Sequence, residues 1–385
     1  MWKWIAGAII VLIVGAVVTL DIIVKDFDER NNAVQSVTKY EVSDEAHALH
    51  DGLIVADLHA DTFLWNRDPA ERQSRGHVDF VRLKEGGVGL QVFAAVTKSP
   101  RGQNYEKNAA DSDQLTLLVK AQRWPARTWD SLLERALYQG GRMASASSEL
   151  DEFSLIRTRI DLQAALESDH LAGVFAIEGG HALEGDVDNL NVLYEAGLRV
   201  MGLHHFFDNA LGGSLHGLSG SGLSTFGREA VARAEGLGVI IDVAHSSEAS
   251  VRDVLAMATR PVIISHTGLQ GHCDSTRNIS DELMVQIAEA GGLIGIGFWD
   301  AAICDISPNS VASAILYAVE LVGANHVALG SDFDGTVATA FDASQLAVIT
   351  QALIDNGADE EVIRKVMGEN AIQFFLTYLP IDDSS

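Results

Sequence analysis

Eight apolar runs rich in β-branched residues recur along the chain, at 52–59, 88–96, 171–177, 199–203, 239–244, 261–265, 293–298 and 326–330. Most are continuous rather than alternating, the pattern of strands buried on both faces. Segments of helical period fall between many of them, as at 225–237, 247–259, 280–290 and 310–322; each opens near Ser or Thr and most close near Gly. Strand and helix in turn, joined by right-handed crossovers, close on themselves after eight repeats. The expected fold class is therefore α/β, a (β/α)8 barrel of the TIM type, whose usual size the 385 residues match once an amino-terminal segment is set aside. The connection 97–170 is too long for a simple crossover and reads as an insertion with helical patterns at 111–122 and 128–138, broken at Trp124-Pro125. The tail at 359–379 reads as a closing helix, and no internal repeat argues for a second domain.

The amino terminus differs in kind. Residues 4–20 carry no charge and consist mostly of Ile, Val, Ala, Leu and Gly, about the length that crosses a bilayer. No A-x-A cleavage site or lipid-anchor cysteine follows, so the run predicts one uncleaved transmembrane helix. The expected organisation is an anchor at 1–25, a polar juxtamembrane linker at 26–45 and the barrel domain at 46–385. Lys3 precedes the run and acidic residues dominate after it, which places the domain outside the cytoplasm, in the periplasm if the source is bacterial. A formal net charge of -26 with no basic stripe argues against nucleic acid as a partner. The two cysteines, Cys273 and Cys304, make neither a disulfide framework nor a thiolate zinc site and are expected as unpaired thiols.

The chemistry lies at the strand ends. The first run ends in His59 and Asp61, two residues apart and so on one face of a strand. Glu178 ends the third run, His204-His205 the fourth, His245 the fifth, His266 the sixth and Asp332 the eighth. In a barrel these ends share one rim, where active sites lie. Six of eight strands ending in ligand-type residues predict a metal site. His59, Asp61, Glu178, His245 and His266 exceed what one catalytic zinc needs, so two ions bridged by a carboxylate fit better. A metal-bound hydroxide would then attack a carbonyl, with Asp332 handling its proton and His205 stabilising the oxyanion. Arg277, just after the sixth run, is placed to pair with a substrate carboxylate.

Taken together, DLHADT, AIEGG, LHHFFDNALGG, DVAHSS, VIISHTG, STRNISD and GSDFDGT, in this order and spacing, resemble the membrane (renal) dipeptidase family of zinc metallopeptidases, from about Asp51 to the end. The resemblance implies a (β/α)8 barrel with two Zn2+ ions per subunit. By the same matching His59, Asp61 and Glu178 hold one ion, and Glu178 bridges to a second held by His245 and His266. His205 falls on the histidine that contacts substrate and the tetrahedral intermediate, Arg277 on the arginine that binds the dipeptide carboxylate, and Asp332 on the acid beside the bridging water. The implied reaction is hydrolysis of a dipeptide to free amino acids; acceptance of a D residue at the carboxy-terminal position depends on loops the sequence leaves undefined. Dimers are common in that family, so a homodimer is the implied protein partner. Two departures stand out: His204 occupies a position where the family often has threonine, and the anchor is amino-terminal rather than a carboxy-terminal lipid.

Two rivals share parts of this pattern. Another metal-dependent barrel amidohydrolase, acting on cyclic amides or β-lactams, shares fold and metals, but usually reads H-x-H on the first strand and often uses a carboxylated lysine. The DFDGT at 332–336 also matches aspartate-nucleophile phosphatases, yet only 49 residues follow it, too few for that fold.

Overall fold

All eight expected runs are strands of one parallel sheet in a computed structural model that describes residues 2–35 and 40–381, with the side chains of residues 3, 6–14 and 16 outside the description. In chain order the strands are β1 (Val55–Ala60), β2 (Val88–Val96), β3 (Phe153–Leu155), β4 (Leu171–Glu178), β5 (Leu198–Gly202), β6 (Ile240–Asp242), β7 (Ile263–Thr267), β8 (Leu293–Ile296) and β9 (Val327–Leu329). Neighbours run β2-β1-β9-β8-β7-β6-β5-β4, and β2 pairs with β4 from Leu90↔Ala172 to Val96↔Glu178, closing an eight-stranded barrel. The unexpected ninth strand, β3, comes from the 97–170 insertion and pairs with the first three residues of β4. Three residues carry no periodicity, so nothing in the pattern marks it.

Period two sorts the side chains of β1. Ala56 and Leu58 pack outward in a buried cluster with Phe374 and Phe375 of the closing helix Asn370–Tyr378. Asp57 and His59, on the opposite face, turn into the barrel, where Asp57 accepts from Gln91 Nε2 at 2.9 Å and Ser331 Oγ at 2.6 Å. The crossover helix Thr225–Leu237 starts where Ser224 accepts from Gly227 N and stops at Gly238, whose φ of 79° a glycine adopts without strain. The tail expected as one helix is interrupted by a π-helical stretch, Lys365–Glu369. Gly368 sits there against β1, and a Cβ on it would meet Ile54 O at 1.9 Å, so only glycine allows this approach.

The amino-terminal expectations change most. Helix Trp2–Asn31 runs through the expected boundary at residue 25, because nothing between Asp21 and Asn31 breaks it. Among the described residues no helix is long and apolar enough to cross a membrane, so the predicted span finds no support; much of its apolar stretch has side chains outside the description. The charged end of the helix docks on the barrel instead of leading into a free linker. Asp28 is buried, with Arg75 Nε at 2.7 Å, Arg67 Nε at 3.2 Å and Asn32 Nδ2 donating at 2.9 Å. Asn32 Oδ1 accepts from Thr336 N at 2.9 Å, and Val34 forms a parallel bridge with Thr339. Part of the expected linker, residues 36–39, lies outside the described residues.

The cysteines also depart from expectation: Cys273 and Cys304 form a disulfide across 31 residues of sequence. They sit on the loops that follow the adjacent strands β7 and β8, a proximity invisible in a linear spacing.

Candidate metal centre

Glu178, at the end of β4, is the point on which the rim converges. Its Oε1 lies 3.1 Å from His245 Nε2, 3.4 Å from His266 Nε2 and 3.7 Å from His59 Nε2, while its Oε2 lies 3.5 Å from His205 Nε2. Asp61 Oδ1 stands 3.5 Å from His59 Nε2, and Asp332 Oδ1 is 3.9 Å from the same nitrogen. Three groups have ligand atoms all within 4.8 Å of one another: His59, Asp61 and Glu178; Glu178, His205 and His245; His59, His266 and Asp332. The first group is the expected ligand set. For the expected second set, His245 and His266 both approach the same Glu178 oxygen, and His205 closes a group of its own.

The support beneath these ligands fixes their protons. Ser265 Oγ donates to Asp242 Oδ2 at 2.6 Å, because Asp242 accepts there and takes two backbone N–H groups, of Ala244 and Ser265, on Oδ1. With its only proton committed, that hydroxyl can only accept from His266 Nδ1 at 2.9 Å and His59 Nδ1 at 3.2 Å. Both imidazoles therefore carry their proton on Nδ1 and aim a bare Nε2 into the site. His205 is set the same way, since Nδ1 meets the carbonyl of Lys98 at 3.1 Å and a carbonyl only accepts. His204 points elsewhere: its Nδ1 bonds Ser246 Oγ at 2.9 Å and takes no part in the Glu178 cluster.

Burial sets the charges. It pushes the carboxyls of Glu178 and Asp61 well above the usual range, with neighbouring carboxylates adding to the effect, and that of Asp332 up to about 8. Burial likewise holds His245 and His266 far below the ordinary imidazole value and His205 down at about 3. Neutral nitrogen donors facing crowded acids are a donor set that a divalent cation would bring into balance. Among the described residues His59 Nε2 and Asp61 Oδ1 are buried with no hydrogen-bond partner, as expected of atoms shaped for a metal. A set of imidazole and carboxylate without thiolate suits zinc among other divalent ions. Backbone strain gathers here too. His245, Asp332, Asp334 and Thr336 all have φ between 59° and 66°, a cost of order 1–3 kcal/mol each that functional sites tolerate.

Arg277 is fully buried beside the cluster. Its Nη2 donates to His266 O at 2.7 Å and its guanidinium lies 5.2 Å from the centre of the Trp299 ring. Among the described residues no carboxylate pairs with it, and burial lowers its pKa. Asn278 braces the loop, donating to Cys273 O and Ala302 O, both at 2.9 Å. A polar cavity of about 390 Å³ brings Asp61, Glu178, His205, His245, Arg277 and Asp332 together. Asp334, the second acid of DFDGT, is instead committed to Arg67 Nη2 at 2.9 Å and His77 N at 2.7 Å, so it is not free to act as a phosphatase general acid.

Sequence reasoning missed the supports Asp57, Asp242, Ser265 and Ser331. One signal was present: Asp57 precedes His59 and Asp61 in strict alternation, the spacing that puts side chains on one face of an extended segment. The others are marked by nothing short of the three-dimensional contact.

A closed parallel barrel whose rim gathers imidazoles and carboxylates about one glutamate defines a metal-dependent hydrolase of the TIM type. The comparisons narrow this. The model of the membrane dipeptidase family, peptidase family M19, matches residues 43–377, and the chain belongs to that family. Dipeptidase ataJ of Aspergillus terreus is 27% identical over 329 residues, 77% of this chain and 76% of the relative. A metallo peptidase from Rhodobacter sphaeroides, solved with a phosphinate mimic of the dipeptide L-Ala-D-Ala, superposes with a TM-score of 0.70 at 25% identity, covering 85% of this chain and 99% of that one. The probable dipeptidase PvdM from Pseudomonas aeruginosa shares the fold, with a TM-score of 0.72 at 19% identity over 86% of this chain and 96% of the other. The protein is thus a metallo-dipeptidase.

Proposed function

We propose that the chain cleaves dipeptides to free amino acids with two zinc ions shared through Glu178, using His59, Asp61, His245 and His266 as the other ligands. The observation that carries this is the contact of one carboxylate with four imidazoles, three on Oε1 and one on Oε2. When bound, the ions supply Lewis acidity that polarises the scissile carbonyl and makes water nucleophilic near neutral pH. The residues do the rest. Arg277 takes the free carboxylate of the substrate and so sets the scissile bond over the cluster. Asp332, beside His59, holds a proton taken from the attacking water and returns it to the departing amine. His205 contacts the carbonyl oxygen. Its Nε2, 3.5 Å from Glu178 Oε2, faces the cavity where the tetrahedral intermediate would form.

The likeness to the Rhodobacter enzyme, bound to a mimic with a D residue, supports acceptance of D configuration at the carboxy-terminal position. An extracytoplasmic location remains our reading of the sequence; the Cys273–Cys304 disulfide supports it, since such bonds persist in oxidising compartments. The test is hydrolysis of L,L and L,D dipeptides with and without zinc, alongside carboxylate-blocked analogues. We expect zinc-dependent cleavage that the blocked compounds largely escape. Equal turnover of blocked and free substrates would remove the role of Arg277.

A further inference from the structure

A second cavity, of about 320 Å³, adjoins the polar one, and Asp61, Gln103, Gln114, His205, Gly335 and Thr336 line both. Apart from Ser99, its remaining walls are apolar. One is Leu64, Trp65 and Val96; another is the helix Leu115–Ala121; the third is the amino-terminal helix, through Ile23, Val24 and Phe27. Residues 23, 27 and 31 recur every four positions, so they share one helix face, and Asn31 on that face lines the polar cavity. This wall belongs to the chain's own extension, because the family match begins at residue 43.

The wall is fixed in place. Asp28 is held by Arg67 and Arg75, and Arg67 also grips Asp334. Asn32 accepts from Thr336 N in the loop that carries Asp332, and Asp21 pairs with Arg123 at 2.8 Å. The apolar faces it offers are uncovered: Ile23 is 55% exposed, and Leu117, across the cavity, 62%.

We propose that Ile23, Val24 and Phe27 form one wall of a subsite that takes a bulky apolar side chain on the amino-terminal residue of the substrate. The assignment of that residue rests on the reading above, in which Arg277 binds the carboxylate. Arg277 lines only the polar cavity, whereas Asp61 and His205 line both. A dipeptide with its carboxylate on Arg277 and its peptide bond over Glu178 therefore continues past Asp61 and His205 toward the apolar space. The amino-terminal helix is then a specificity element as well as an extension of the chain.

The test compares kcat/KM of the full chain, loaded with zinc, on Gly-Ala, Leu-Ala and Phe-Ala and on the mirrored Ala-Leu and Ala-Phe, with Ala-Ala as the reference. Wild type is expected to favour Leu-Ala over Gly-Ala by about 10-fold or more, the range that burying a few methylenes gives. In Ile23→Asp and, on the opposite wall, Leu117→Asp, that ratio falls toward one while the ratio of Ala-Leu to Ala-Ala is kept. Both side chains are more than half exposed, so the variants should fold, and thermal unfolding checks that they do. Zinc-dependent hydrolysis that ignores the size of the first residue, or keeps its preference in both variants, overturns this inference alone. Absence of zinc-dependent dipeptide hydrolysis in wild type overturns the inference together with the reading beneath it.

Discussion

The Nε2 atoms of His245 and His266 stand 2.9 Å apart, both directed at Glu178 Oε1. Burial keeps both rings neutral, and Ser265 places the proton of His266 on its far nitrogen. Two such nitrogens gain more from a shared cation than from each other. Metal binding should therefore stabilise the fold by mass action. Dialysis against a chelator is expected to lower Tm by roughly 10 °C, the consequence of losing a ligand present far above its Kd. Added zinc should restore it, as differential scanning calorimetry can measure; an unchanged Tm would argue that no resident metal supports the site.

Ser265 orients two ligands at once, so its hydroxyl should matter without touching the metal. Ser265→Ala leaves the Nδ1–H groups of His59 and His266 without an acceptor and frees both rings to turn. Metal affinity, measured by competition with a chromophoric chelator, should fall by about 10–100-fold. Secondary structure by circular dichroism should remain.

Arg277 should govern binding of the carboxylate rather than the chemical step. Arg277→Ala is expected to lower kcat/KM on free dipeptides by about 100-fold, the scale of a lost charge-assisted pair, mostly through KM. On carboxamide-blocked dipeptides the same change should do little. Steady-state kinetics on both substrate series separate the two.

The disulfide should hold the Arg277 loop together. Closing a 31-residue loop stabilises the fold by about 3–4 kcal/mol in the chain-entropy account. Cys304→Ser should therefore lower the midpoint of urea unfolding, and it should raise KM more than it lowers kcat, because Asn278 braces Arg277 against the two arms that the bond joins.

Acid should unfold the protein through buried neutral histidines, and His77 offers a measurable case. Burial lowers its pKa from the ordinary 6.5 to about 4, and its Nδ1 accepts from Asp334 N at 3.0 Å. The unfolded chain binds this proton more readily, so stability is complete above pH 6.5 and declines as pH falls toward 4. The slope is about 1.4 kcal/mol per pH unit and the total about 3 kcal/mol. His77→Asn, which keeps an acceptor but does not titrate, should flatten the dependence of unfolding free energy on pH over that window by this slope.

Most of the barrel was legible because its signal is repeated: eight apolar runs became eight strands, their ends displaced by at most three residues. The rim residues were legible because strand ends share a face in any such barrel. What escaped depends on contacts between distant positions. Ser265 and Asp242 are ordinary residues until Ser265 Oγ meets two imidazoles, and the Cys273–Cys304 bond needs two neighbouring loops. The amino-terminal segment misled for a related reason. Its composition fits a membrane, whereas the docking of Asp28 on Arg67 and Arg75 is set by partners some forty residues and more away. β3 was too short to carry a period, and the close approach of Gly368 to Ile54 within the π-helical stretch Lys365–Glu369 is likewise a contact between distant positions.

Metal content of the purified chain, read by mass spectrometry of the element, tests the shared role of Glu178 most directly. Wild type is expected to carry two zinc ions per chain and Glu178→Gln one or fewer, with dipeptidase activity lost. Two ions retained in Glu178→Gln, or none taken up by wild type in excess zinc, would contradict a metal pair built on that carboxylate.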